Sequence, residues 1–173
     1  MRATSRTTTR RMVAWIAAAG AAGCLMTTPA SAQSGADLAA VFAAAGDVSA
    51  LVAKAKAERK PDQPNMVQPV VTLAPYVVNL EYRMSGLKAP AAVHETEAEI
   101  FFVVEGTGTA VTGGRLTDEK RTNAENLSGT GIEGGQSRRI AKGDILVVPQ
   151  RSPHWFNPSD GPLILLSLHV PRK

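Results

Sequence analysis

From Val67 onward the chain is cut by Gly, Pro and Asn into short β-rich runs, at 70–83, 98–105, 108–112, 136–141, 144–148 and 163–170. Many short strands with turn residues between them predict an antiparallel sandwich or barrel. Glu105-Gly106-Thr107-Gly108 and Thr112-Gly113-Gly114-Arg115 read as tight hairpin turns, because glycine enters them without strain. A dinucleotide fingerprint at Gly106-x-Gly108 is excluded, since strand residues and not a helix follow it. The polar, glycine-rich stretch 117–135 reads as a long loop with one short strand at Leu127. Asn126-Leu127-Ser128 has the form of a glycosylation sequon, and we read it as coincidental.

The N-terminus reads as an address. Arg2, Arg6, Arg10 and Arg11 precede an apolar stretch of small residues from Met12 to Gly23, and Ala30-Ser31-Ala32 offers a cleavage site. That order predicts a secretory signal peptide over 1–32, with Thr9-Arg10-Arg11-Met12 similar to a twin-arginine signal. The alternatives are an uncleaved anchor, which the alanine- and glycine-rich run suits poorly, and lipidation at Cys24. Cleavage removes four arginines and no acid, so the full-length charge of +4 becomes 15 basic against 15 acidic residues. A neutral chain with one arginine pair, Arg138-Arg139, predicts no nucleic-acid partner. Cys24 leaves with the signal, so the mature protein is indifferent to an oxidising compartment, and we expect it in the periplasm or secreted, without membrane contact.

Between the signal and the strands, 33–66 reads as a helical segment. Asp37 is the expected N-cap of a first helix, Gly46 its end, and Asp47 the cap of a second. Val48, Leu51, Val52 and Ala55 then fall at helical spacing until Pro61 and Pro64 stop the run. An outer helix packed on the domain is the simpler reading, and a partner-binding helix the other.

Three histidines, His94, His154 and His169, are the candidate chemistry. Gly86, His94, Glu99 and Gly106 fall on the spacing of the first cupin motif, with Ala92 where its first histidine stands. Gly143, Pro149 and His154 fall on the second, with Arg151 for its middle glycine and the asparagine one residue early at Asn157. Over 67–173 the chain thus resembles small exported bacterial single-domain cupins. The resemblance implies an all-β, double-stranded β-helix (a jelly-roll barrel of six to eight strands), a divalent metal ion, and His94, Glu99 and His154 as its ligands. Cupin barrels also commonly pair through sheet edges, which implies a homodimer.

Two imidazoles and a carboxylate suffice for a metal centre with open positions, of the kind non-haem iron and catalytic zinc sites use. Fe, Mn, Zn and Ni all fit, and the residual positive charge suits an anionic or chelating small molecule. His94 and Glu99 are five residues apart, so on one straight strand they would face opposite sides. They meet only if the chain bends within Glu95 to Ala98. Glu99, Phe101 and Val103 then face inward, and Ile100, Phe102 and Val104 outward. Glu95 and Glu97 read as a solvated edge, with Glu97 the reserve ligand. His169 reads as a surface or cavity-wall residue, with the vacancy at Ala92 as its other possible place. Tyr76 and Tyr82 read as packing residues within reach of the cavity, and Trp155 should face away from His154. Two functions stay open: a metal-dependent enzyme (oxygenase, isomerase or hydrolytic) acting on a small molecule, and a non-catalytic binding or structural cupin without metal.

Overall fold

The computed structural model describes residues 40–172. The signal peptide and the Asp37 cap lie outside the described residues. The element order is α1 (Ala45–Glu58), β1 (Asn65–Leu73), β2 (Tyr76–Arg83), β3 (Ala91–His94), β4 (Glu97–Thr112), β5 (Arg115–Thr117), β6 (Lys120–Arg121), β7 (Asn126–Gly129), β8 (Gly131–Glu133), β9 (Gln136–Ala141), β10 (Ile145–Val148) and β11 (His154–Pro171).

Two long strands organise the barrel. The first half of β4 pairs with β10 and with the second half of β11, which continues to β2 and β1. The second half of β4 pairs with β9 and with the first half of β11, which continues to β3, β7 and β6. Each long strand therefore belongs to both layers and bends between them. Phe101, Val103, Ala110, Ile140, Val148, Phe156, Leu163 and Leu165 fill the space between the layers. Burying such side chains contributes about 1.5–3 kcal/mol each.

The expected hairpin turn at Glu105–Gly108 does not form. These residues continue β4, and the register between β4 and β11 slips there, from Thr107↔Ser159 to Glu105↔Ile164. Glycine serves as a bend inside a strand, a use that turn statistics do not separate from a loop. Gly113 and Gly114 do turn the chain, but β5 pairs with β8 rather than folding back on β4. The stretch 117–135 contains the expected short strand at Leu127, β7, and two further ones, β6 and β8. Its polarity reflects strands of two to four residues with one face in solvent.

Among the described residues a single helix, α1, stands where a pair was expected. Residues 40–44 are not helical, and Gly46 lies inside α1. Asp47 does cap the helix, from the third position: its Oδ2 accepts the Ala44 backbone N–H at 2.8 Å. Its negative charge in the first turn also suits the helix dipole. The apolar face of α1 packs on the outer side of one layer, where Val48, Leu51, Val52 and Ala55 meet Leu80, Tyr82, Val104 and Ile164.

Candidate metal centre

The site sits where β3, β4 and β11 meet. β3 ends at His94 and β4 begins at Glu97, with the bend at Glu95–Thr96. Two contacts fix that bend: the Glu95 backbone N–H donates to Glu125 O at 2.8 Å, and the Glu95 carboxylate pairs with Arg121 at 2.6 Å. Beyond it, strand alternation turns Glu99, Phe101 and Val103 inward, while Phe102 is 42% exposed. His154 opens β11, and His169 stands opposite Glu99 in the β4–β11 register. Trp155 points away from the site and donates its Nε1–H to Ala89 O. Tyr82 packs beneath α1, and Tyr76 is exposed.

Three imidazoles converge on one buried carboxylate. Glu99 Oε2 lies 3.2 Å from His94 Nε2 and 3.2 Å from His154 Nε2, and Glu99 Oε1 lies 3.3 Å from His169 Nε2. Glu99 and His154 are buried, 3% and 4% exposed. The donors of His94, Glu99 and His154 lie within 4.8 Å of one another, and this group could hold a metal ion. Two ligands about 2.1 Å from a common ion stand about 3.0–3.4 Å apart in octahedral or tetrahedral arrangements, which the observed spacing matches.

The far side of each ring carries the stronger argument. His94 Nδ1 faces Asn126 Oδ1 at 2.7 Å, His154 Nδ1 faces Ser152 O at 3.3 Å, and His169 Nδ1 faces Glu97 Oε1 at 2.5 Å. All three partners are acceptors, so each Nδ1 carries the proton. The neutral tautomer then presents an Nε2 lone pair to the Glu99 carboxylate. Lone pairs facing a carboxylate at this distance repel. Such repulsion is relieved where an Nε2 carries a proton and donates to Glu99, or where a cation lies among the donors. Such acceptors behind metal-binding rings are the usual device for holding the ligating nitrogen forward.

The titration behaviour of the metal-free site follows. Burial pushes the Glu99 carboxyl up, but hydrogen bonds from His154 and His94 and the charge of the imidazoles outweigh it, leaving Glu99 well below the usual carboxylate range. Its contribution to stability is therefore present above that range and lost as pH falls. Burial also opposes the charged form of His94, yet Glu99, Asn126 and Glu97 together raise it above the ordinary histidine value.

Sequence reasoning put Glu97 on a solvated edge and left His169 on the surface or the cavity wall. In the structure Glu97 bonds His169, and His169 lines the cavity beside Glu99. A second group that could hold an ion, His94, Glu97 and His169, shares His94 with the first. The cavity above the site has a volume of about 420 Å³. Ala92 and His169 both line it, together with a polar stretch of β1 and β2 that sequence reasoning missed: Asn65, Asn79, Glu81 and Arg83.

No protein-family model and no curated protein sequence matches the chain. Solved structures are similar to it. A Bacillus halodurans protein superposes with a TM-score of 0.53 at 14% identity, covering 79% of this chain and 86% of its own. A Klebsiella pneumoniae protein with a double-stranded β-helix domain gives 0.49 at 18%, covering 65% and 82%. The iron(II) form of HppE gives 0.49 at 17%, covering 62% of this chain, and the chain spans about half of HppE's length, 51%. From its strand order, with β4 and β11 shared by both layers, the chain has the cupin-type double-stranded β-helix fold, and its likeness to the Bacillus halodurans protein is one of fold alone.

Proposed function

We propose that this is an exported metal-binding cupin in which His94, Glu99 and His154 hold one divalent ion, and that it acts on a small anionic or chelating molecule. The observation that carries the reading is the convergence of three Nε2 atoms on one buried carboxylate, with an oxygen acceptor behind each Nδ1. His169 supplies the imidazole that the resemblance lacks at Ala92, from a different strand. A bound ion would supply Lewis acidity, polarising a carbonyl or making a bound water more acidic. Glu99 and His154 are buried, and the rings of Phe101 and Phe156 lie 5.7 and 6.5 Å from His154. Export rests on the N-terminal pattern of Arg2 to Arg11 and Ala30-Ser31-Ala32.

The test is titration of chelator-stripped protein with Mn²⁺, Fe²⁺, Zn²⁺ and Ni²⁺ separately, followed by thermal melting. One ion per chain is expected. At a hundredfold excess over Kd the melting temperature should rise by roughly 10 °C, from about 2.7 kcal/mol of linkage. Failure of all four ions to bind would overturn the reading.

The acceptor behind His169 gives a second expected result. Glu97→Gln should weaken the ion's affinity by about tenfold without abolishing binding, as loss of an acceptor behind a ligating histidine usually does. Calorimetry with the tightest of the four ions checks it, and an unchanged affinity would place His169 outside the centre.

A further inference from the structure

The polar residues of β2 belong to neither group that could hold an ion. Asn79, Glu81 and Arg83 alternate along one face of β2, and Asn65 lies opposite Arg83 on β1. All four line the cavity that His94, Glu99, His154 and His169 line. Arg83 donates Nε–H to Glu81 Oε2 at 2.8 Å and brings Nη2 to the same oxygen, and its guanidinium lies 4.8 Å from the centroid of the Phe156 ring. Asn65 Nδ2 reaches that oxygen too, at 3.4 Å. Three donors therefore crowd one oxygen of Glu81. Its Oε1 and the Nη1 of Arg83 keep no partner among the described residues.

Asn65 Oδ1 is one of two buried side-chain atoms without a hydrogen-bond partner among the described residues. Exchanging its amide O and N would not relieve this, because it would set oxygen against the Glu81 carboxylate. The cavity wall here thus offers one acceptor, Glu81 Oε1, beside a donor, Arg83 Nη1, while Asn65 lies behind them and holds Glu81 in place through Nδ2. A second carboxylate would satisfy the donor and be repelled by the acceptor. An alkyl chain would satisfy neither. A hydroxyl donates and accepts at once, and so satisfies both.

We propose that the Asn65–Glu81–Arg83 end of the cavity is a hydroxyl-binding subsite, and that the ligand of this protein is a polyhydroxylated carboxylic acid. Its carboxylate lies toward the histidine cluster and its hydroxyls toward β2. The carboxylate half of this assignment rests on the metal reading; the hydroxyl half does not.

Calorimetry on the full chain tests it with three probes: gluconate, which has both features; hexanoate, which lacks the hydroxyls; and sorbitol, which lacks the carboxylate. On metal-loaded protein gluconate should bind at least tenfold more tightly than hexanoate. Asn65→Ala and Arg83→Lys should each lower gluconate affinity about tenfold while leaving metal content and hexanoate binding unchanged. Arg83→Lys keeps a cation beside Glu81, so it guards against a folding artefact. Hexanoate binding as tightly as gluconate, or gluconate binding equally to the parent and both variants, would overturn the proposal. If no ion binds at all, the metal reading fails separately. Sorbitol binding to metal-free protein, reduced tenfold by Asn65→Ala, would then still support the subsite, and its absence would overturn it.

Discussion

His154→Ala should lower the affinity for the preferred divalent ion by more than about a hundredfold, a larger loss than removal of an acceptor behind a ligand produces. His154 is the buried imidazole of the cluster, its Nε2 is 3.2 Å from Glu99 Oε2, and the backbone carbonyl of Ser152 fixes its ring. Glu99→Ala should be as severe, because it removes the only carboxylate shared by all three rings. The two variants should part company once the metal is stripped. Without an ion, Glu99→Ala leaves three imidazoles facing one another, with the Glu97 carboxylate behind His169 and His94 but none between the rings. His154→Ala leaves Glu99 with two partners and, beside Phe101, a gap of roughly one ring, a change that costs a few kcal/mol in a packed interior. Metal analysis of each purified variant, with melting curves before and after chelation, separates lost ligation from lost packing. Stoichiometric metal in His154→Ala would end the reading of this cluster as a metal centre.

How much of this was legible beforehand depended on whether the information was local. His94, Glu99 and His154 announce themselves through short spacings to Gly86, Gly106, Gly143 and Pro149 along the chain. The bend between His94 and Glu99 follows from parity alone, since an odd separation cannot place two residues on one face of a straight strand. Phe101 inward and Phe102 outward follow in the same way. His169 carries no such signal. It reaches Glu99 because β11 pairs with β4 in the register His169↔Glu99, and that register depends on the residues inserted in β11 between Ser159 and Ile164. Arg83 and Glu81 were hidden for a similar reason. Alternation along 70–83 shows which residues share a face, but not that this face closes over the histidines. The two expected N-terminal helices failed on a weak local cue. Gly46 costs about 1 kcal/mol inside a helix, too little to break one that Asp47 caps and that four apolar side chains anchor to β2, β4 and β11.

The residue most misread from sequence predicts the largest loss of stability. Gly106 has φ +89°, in the region that side chains with a Cβ rarely enter, and it stands opposite the β11 insertion where both long strands pass from one layer to the other. A Cβ built there would lie 2.1 Å from Pro162 O and 3.1 Å from Leu163 Cα, both backbone atoms that cannot rotate aside. Gly106→Ala should therefore combine about 1–2 kcal/mol of backbone strain with about 1–3 kcal/mol of forced displacement. The expected loss of about 2–5 kcal/mol is a large share of the 5–15 kcal/mol typical of a domain. Gly143 separates the two contributions. Its φ of +92° is nearly the same, yet nothing lies within 4 Å of its would-be Cβ. Gly143→Ala should cost only the strain, about 1–2 kcal/mol. Urea unfolding of both variants, with and without metal, measures the difference. Equal losses would mean that the crossing of β4 and β11 at Pro162 yields to an added methyl group, and that the two layers are not held at the separation that brings His169 and His154 to one carboxylate.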